Sequence, residues 1–110
     1  MDKLDKIVRE VLKQVPSREY KMKSQINNAY DSAESNFVEG YYSGSTGEYL
    51  RFMRYSRRSI AELEMRVKRV FTKVFLKQEF YLQFEDLIVK TGYLGDRLIR
   101  GLENKLALKK

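Results

Sequence analysis

The chain has 110 residues, enough for one compact domain but too few for two ordinary ones. It contains no cysteine and no histidine, which excludes disulfides, Ser-His and Cys-His nucleophiles, and the usual ligand sets of zinc and haem. The net charge of +7, from 22 basic and 15 acidic residues, points to a polyanionic partner if the excess is concentrated in one place.

The first predicted helix covers residues 2–15 and ends at Pro16. Its apolar residues recur at spacings of three and four, which is the period of one helix face. They are Leu4, Ile7, Val8, Val11, Leu12 and Val15.

The second predicted helix covers residues 18–42 and carries two neighbouring rows of side chains. The apolar row consists of Met22, Ile26, Ala29, Tyr30, Ala33, Phe37 and Tyr41. The second row, here called the polar seam, consists of Gln25, Ser32, Asn36 and Glu39. Hydrogen-bonding residues beside an apolar row are typical of a helix interface whose register is fixed by polar contacts, so we expect Asn36 and Glu39 to bond across one.

A Ser-Gly-Ser-Thr-Gly turn precedes the third predicted helix, which covers residues 46–73. Ser45 and Glu48 have the spacing of a capping box at a helix start. Residues 51–77 contain nine basic and two acidic residues and so hold the entire excess of +7, since the rest of the chain has 13 of each. At 100° per residue the following cations lie opposite the apolar face and are called the basic stripe: Arg51, Arg54, Arg58, Arg66, Arg69 and Lys73.

The fourth predicted helix covers residues 77–108, after a short turn placed near residues 74–76, where three consecutive apolar residues break the helical period. Gly92, Gly95 and Gly101 lie inside it and either permit close packing or bend the helix. Its apolar residues are Phe80, Phe84, Leu87, Ile88, Leu94, Leu98, Ile99, Leu102 and Leu106.

Four amphipathic helices with short connections predict an all-α fold, an up-down-up-down antiparallel four-helix bundle that forms one domain over residues 1–110. No apolar run approaches the length of a membrane span. Met1 leads directly into a charged, periodic segment and not into a signal peptide, so we expect a cytoplasmic protein without a membrane partner.

Several segments resemble one known family as an ordered set. They are SQINNAYDSAESNFVEG, then GEYLRFMRYSRRSIAELE, and near the C-terminus DRLIRGLENKL. This pattern resembles the four-helix-bundle proteins encoded in ribosomal-RNA intervening sequences and the related accessory variability determinant (Avd) proteins of diversity-generating retroelements. The resemblance covers residues 24–106. It implies a homopentameric ring without enzymatic activity and, by analogy with the retroelement relatives, binding to nucleic acid and to a reverse transcriptase.

The basic stripe is the principal candidate for a binding site. Lysine and arginine along a helix face neutralise phosphates and release counterions, and Tyr55 lies among them where it could stack on an unpaired base. The alternative is a solvated face in which Glu62 pairs with Arg58 and Arg66 at a spacing of four.

Catalysis is not expected. Glu39 is the one tempting carboxylate, but general acid–base chemistry needs a partner group and a pocket, and no residue has a telling spacing from it. The glycine-containing turn lacks the Gly-Lys-Ser/Thr of a phosphate-binding loop. We therefore predict no catalytic residue, no cofactor and no metal ligand.

These observations predict a non-enzymatic, oligomeric protein that binds structured RNA or an RNA–DNA hybrid through the third helix. The alternative is a protein–protein adaptor whose basic face docks on an acidic surface, such as that of a reverse transcriptase.

Overall fold

The structure, a computed structural model, describes residues 2–108, and these residues form four α-helices and no strand. The helix bounds differ from the predicted ranges by at most two residues. They are α1, Asp2–Gln14; α2, Tyr20–Tyr41; α3, Thr46–Thr72; and α4, Gln78–Leu108. The predicted all-α class is confirmed.

The helices follow one another around the bundle. α2 packs along α3, α3 packs along α4, and α1 contacts both α4 and α2. The described part of the molecule is elongated, with extents of 52 × 22 × 20 Å. None of its helices is long and apolar enough to cross a membrane.

The core is divided because α1 is much shorter than its neighbours. Its 13 residues span about 20 Å, against about 40 Å for the 27 residues of α3. The larger apolar cluster includes the buried face of α1, whereas a smaller cluster around Leu50, Met53 and Leu102 contains none of its residues. The bundle therefore has four helices near the α3–α4 turn and three near the α2–α3 turn.

A cavity of about 330 Å³ lies in the three-helix part, between α2, α3 and α4. Phe37, Met53 and Leu98 line it, and no lining residue comes from α1. Leu94 also lines it and is 63 % exposed, although the helical period predicts a core position. No residue of α1 lines this part of the bundle, so the side chain lacks the cover that a fourth helix would give it.

The start of α3 confirms half of the predicted capping box. The hydroxyl of Ser45 accepts a hydrogen bond from the backbone N–H of Glu48 at 3.1 Å. The Glu48 carboxylate pairs with Arg51 at 2.8 Å, so the reciprocal bond that a complete box would require is replaced by an ion pair within the helix.

The end of α3 confirms the turn that the broken period predicts. The backbone N–H of Val74 bonds to the carbonyl of Phe71, and that of Phe75 bonds to the carbonyl of Val70. This pair of bonds is the Schellman arrangement, in which the residue after the C-cap takes the left-handed conformation. Here that residue is Val74, with a φ of 63°.

The glycines of α4 do not act alike. A Cβ at Gly92 would lie 3.0 Å from the guanidinium of Arg57, and one at Gly95 would lie 3.5 Å from the Cδ of the same side chain. These two glycines therefore let Arg57 cross α4 closely and reach Asp96, to which it donates a hydrogen bond at 2.9 Å. Gly101 has open space beside it.

Candidate nucleic-acid interface

The basic stripe is only partly free in the folded chain. Arg58, Arg69 and Lys73 are exposed and form no ion pair with any residue in the range 2–108. Arg51 is also exposed but is paired with Glu48. An anion can therefore bind three cations of the stripe without breaking an existing ion pair.

Two other members of the stripe reach neighbouring helices. Arg54 pairs with Glu103 of α4 at 2.8 Å. Arg66 has only 23 % of its side chain exposed, donates to the side-chain oxygen of Gln25 on α2, and lies 3.6 Å from Glu62. Its Nε is buried without a hydrogen-bond partner in the described chain. Arg66 is consequently held at the α2–α3 interface, and of the two expected Glu62 pairs only this one forms.

Tyr55 lies beside one of the unpaired cations, Arg58, as the sequence predicts. It is 40 % exposed, and the Arg58 guanidinium lies 5.8 Å from the centre of its ring. One edge of the ring meets Phe52, with a centroid distance of 6.3 Å. A ring that is half open beside an unpaired arginine can stack on a base while that arginine contacts a phosphate.

The polar seam lies at the α2–α3 interface, but with different partners from those expected. The hydroxyls of Ser32 and Ser59 are 2.8 Å apart, and the amide of Asn36 donates to the carbonyl of Ser32 within α2. Ser56 of α3 is buried and donates to the carbonyl of Ala33 at 2.7 Å.

Ser56 and Ser59 were not predicted as part of the seam. Their signal in the sequence is their position, three residues apart on the buried face of α3, where small polar residues interrupt an apolar row. Buried hydroxyls generally require hydrogen-bond partners, and these two find theirs on α2. The seam therefore continues from α2 onto α3.

Glu39 lies outside the seam. It is exposed and forms no hydrogen bond or ion pair with the described residues, because it is near the end of α2, beyond Ser32 and Asn36. It lines a groove of about 420 Å³ at the end of the bundle, with Val38, Tyr42, Gly44, Glu48 and Phe52 among the other lining residues.

Exposed tyrosines flank this groove. Tyr42 is 79 % exposed and Tyr41 is 61 % exposed, with their rings edge to face at a centroid distance of 5.0 Å. The period of α2 assigns Tyr41 to the buried face, which is wrong because the helix ends at this residue and nothing in the described chain covers its side chain.

Two carboxylates share the groove, and their settings are similar. Glu48 is held in its ion pair with Arg51, and both glutamates are exposed to solvent. Enzymes that use a pair of carboxylates place them in environments that push their pKa values apart, usually by burial. Glu39 and Glu48 lack this contrast in burial.

The raised pKa values belong to tyrosines of the core. Burial, and then the hydrogen bond from its hydroxyl to Glu34, raises the pKa of Tyr30. Burial and the Glu85 carboxylate raise the pKa of Tyr81. Both side chains are therefore neutral donors that hold their glutamates, and neither belongs to the basic stripe. Within residues 2–108 no group of three or more acidic side chains could hold a metal ion.

Comparison with known proteins identifies the family. The model of the 23S rRNA-intervening sequence protein family matches residues 1–95. The chain belongs to this family. The match spans α1, α2, α3 and much of α4, and so includes the basic stripe, the polar seam and the groove. No curated protein and no solved structure gives a significant match.

Proposed function

We propose that this intervening-sequence family member acts by binding structured RNA, or an RNA–DNA hybrid, through the exposed side of α3, and not by catalysis. The observation that carries the proposal is the position of Arg58, Arg69 and Lys73. All three are exposed on one helix and are without an ion pair among the described residues.

The spacing of these cations suits a nucleic-acid backbone. Arg69 and Lys73 are one helical turn apart, about 6 Å, and Arg58 lies about 16 Å from Arg69 at 1.5 Å per residue. Each cation that neutralises a phosphate releases condensed counterions, which gives affinity that tolerates changes in sequence and falls with salt. The concentration of the whole net charge between residues 51 and 77 supports this role.

The family adds a loose association with ribosomal RNA to the charge pattern that favours an RNA partner. Its description names 23S ribosomal RNA, and the match contains every residue proposed to touch the ligand. RNA is recognised mainly through its shape, its phosphates and its unpaired bases. The exposed cations of α3 provide groups for the phosphates, and Tyr55 beside Arg58 provides a ring for an unpaired base.

The proposal includes self-association, with a ring of five chains as the expected assembly. Three apolar side chains at spacings of seven and four, Leu82, Val89 and Tyr93, lie exposed in one row of α4 and give a second copy an apolar surface to contact. In a ring each chain would repeat the exposed cations, so that several weak patches act together. Light scattering tests this, since five chains have five times the 13.1 kDa mass of one.

Reversal of charge on α3 tests the RNA-binding role. The triple variant Arg58→Glu, Arg69→Glu, Lys73→Glu should lose binding to a labelled RNA hairpin by at least about a hundredfold, because three attractive phosphate contacts become repulsive. Fluorescence anisotropy measures the affinity, while circular dichroism and light scattering check that helix content and mass persist.

A matched control separates a local contact from the effect of net charge. Lys3, Lys6 and Lys13 are exposed on α1, and changing all three to glutamate alters the total charge by the same amount. This control should retain most of the RNA affinity. If both triple variants bind RNA as tightly as the wild-type chain, the exposed side of α3 is not the contact surface.

A further inference from the structure

The groove at the end of the bundle has the chemistry of a base-binding site. It has a volume of about 420 Å³, within the range of small-ligand pockets, and combines aromatic walls with carboxylates. It lies at the start of α3, where Arg51 begins the basic stripe. A nucleotide of an RNA that follows α3 would reach this groove next.

Aromatic rings supply the stacking surface. Tyr42 is the most exposed aromatic side chain of the described residues and lines the groove, so its ring is open to a ligand. Phe52 lines the same groove and carries the Arg51 guanidinium 5.0 Å from its ring centre. A base between these residues would gain stacking energy, and its phosphate would lie near a cation.

The carboxylate of Glu39 supplies selectivity among the bases. An ionised carboxylate only accepts hydrogen bonds. Glu39 lines the groove and has no hydrogen-bond or ion-pair partner in the described chain, whereas Glu48 is occupied by Arg51. Glu39 is thus the acceptor that remains available to a ligand.

Guanine is the base that matches such an acceptor. Its Watson–Crick edge presents two adjacent donors, the N1–H and the 2-amino group, which fit the two oxygens of one carboxylate. Adenine and cytosine place a ring nitrogen acceptor beside a single amino group, and uracil flanks its single N–H with carbonyl oxygens. Each of these three edges would direct at least one lone pair against Glu39.

We propose that the groove binds one unpaired guanine of the bound RNA, with Tyr42 stacking on the base and Glu39 accepting hydrogen bonds from its N1–H and amino groups. The inference rests on the proposed RNA-binding function and gives it a base preference. Phosphate contacts along α3 supply most of the affinity, and the groove distinguishes one nucleotide in a loop or bulge from the others.

Three RNA hairpins that differ at one loop position test the preference. The stem is constant, the loop is uridine, and its central position holds guanosine, inosine or adenosine. By fluorescence anisotropy the guanosine hairpin should bind about tenfold tighter than the adenosine hairpin. Inosine keeps the N1–H but lacks the amino group, so its hairpin should bind with intermediate affinity.

Two variants assign the preference to the groove. Glu39→Gln should remove most of the tenfold preference without weakening binding of the adenosine hairpin, because the amide can accept from the adenine amino group and donate to its ring nitrogen. Glu79→Gln, the same change at an exposed site at the start of α4, should keep the preference. Tyr42→Ser should weaken binding of the guanosine hairpin about tenfold, and Tyr42→Phe should restore it, because stacking needs the ring and not the hydroxyl.

The outcomes separate this inference from the function on which it rests. Equal affinity of the wild-type chain for all three hairpins contradicts the guanine site but leaves RNA binding intact. A preference that survives Glu39→Gln also contradicts it. Failure to bind any of the hairpins contradicts the proposed function and the guanine site together.

Discussion

Val74 occupies a backbone position that usually belongs to glycine. Its φ of 63° lies in the left-handed region, which costs an L-residue roughly 1–2 kcal/mol and is least suited to β-branched side chains. The side chain is 88 % exposed, so packing does not repay this cost. Removing this backbone strain should therefore raise the free energy of unfolding.

We expect Val74→Gly to stabilise the chain by about 1 kcal/mol, because the gain at positive φ exceeds the extra backbone entropy of glycine in the unfolded chain. Ala61→Gly is the control, since Ala61 is exposed in the interior of α3 and glycine costs about 1 kcal/mol there. Urea unfolding at one protein concentration measures both. A lower midpoint for Val74→Gly would contradict the strained geometry.

Individual contacts of the basic stripe show why the sequence predicts a face better than a site. The helical period places Arg54 and Arg66 with the other cations. Their partners, Glu103 on α4 and Gln25 on α2, are 49 and 41 residues away along the chain. A helical projection contains no information about such distant partners, so it cannot distinguish the cations that the fold occupies from those it leaves free.

At the scale of helices, a close contact between α2 and α3 depends on Gly40. A Cβ at this position would lie 3.0 Å from the Cβ of Phe52 and 3.2 Å from the ring of Tyr49. The main chain of α2 can therefore pack against these side chains only because the position lacks a side chain of its own.

Alanine at Gly40 and at Gly101 should have opposite effects. Gly40→Ala should destabilise the chain by about 1 kcal/mol, since overpacking costs about 1–3 kcal/mol and outweighs the gain in helix propensity. Gly101→Ala meets open space in α4 and should stabilise by about 0.5–1 kcal/mol. Thermal unfolding compares them, and equal effects of the two changes would contradict the close contact at Gly40.

The helices themselves were predictable because their amphipathic period is a local property of the sequence. The turn after α3 followed from a break in that period, but its cap could not be predicted, since no glycine marks the left-handed residue. The exposed Tyr41 was missed for a related reason. The helical period continues to Tyr41, the last residue of α2, but no described residue packs over this side chain to bury it.

For the whole molecule, the short length of α1 determines which end of the bundle has open surfaces. It completes the core near the α3–α4 turn and leaves the other end with three helices, a cavity and the groove lined by Glu39 and Tyr42. Three exposed cations of the basic stripe that have no ion pair among the described residues lie on α3 between residues 58 and 73. An RNA could therefore follow α3 from its C-terminal end to the groove, contacting phosphates first and a base last.

The salt dependence of RNA binding tests the central claim most directly, because phosphate contacts release counterions and protein–protein docking does not involve RNA. RNA binding through the exposed side of α3 predicts measurable affinity for a hairpin RNA at ~0.15 M salt. It also predicts a linear fall of the logarithm of the affinity with the logarithm of salt concentration. The slope should become shallower by about two to three when Arg58, Arg69 and Lys73 are changed to alanine. No affinity for RNA at that salt concentration, or the same slope for both proteins, would contradict the account, and the first result would favour an adaptor that docks on an acidic protein surface.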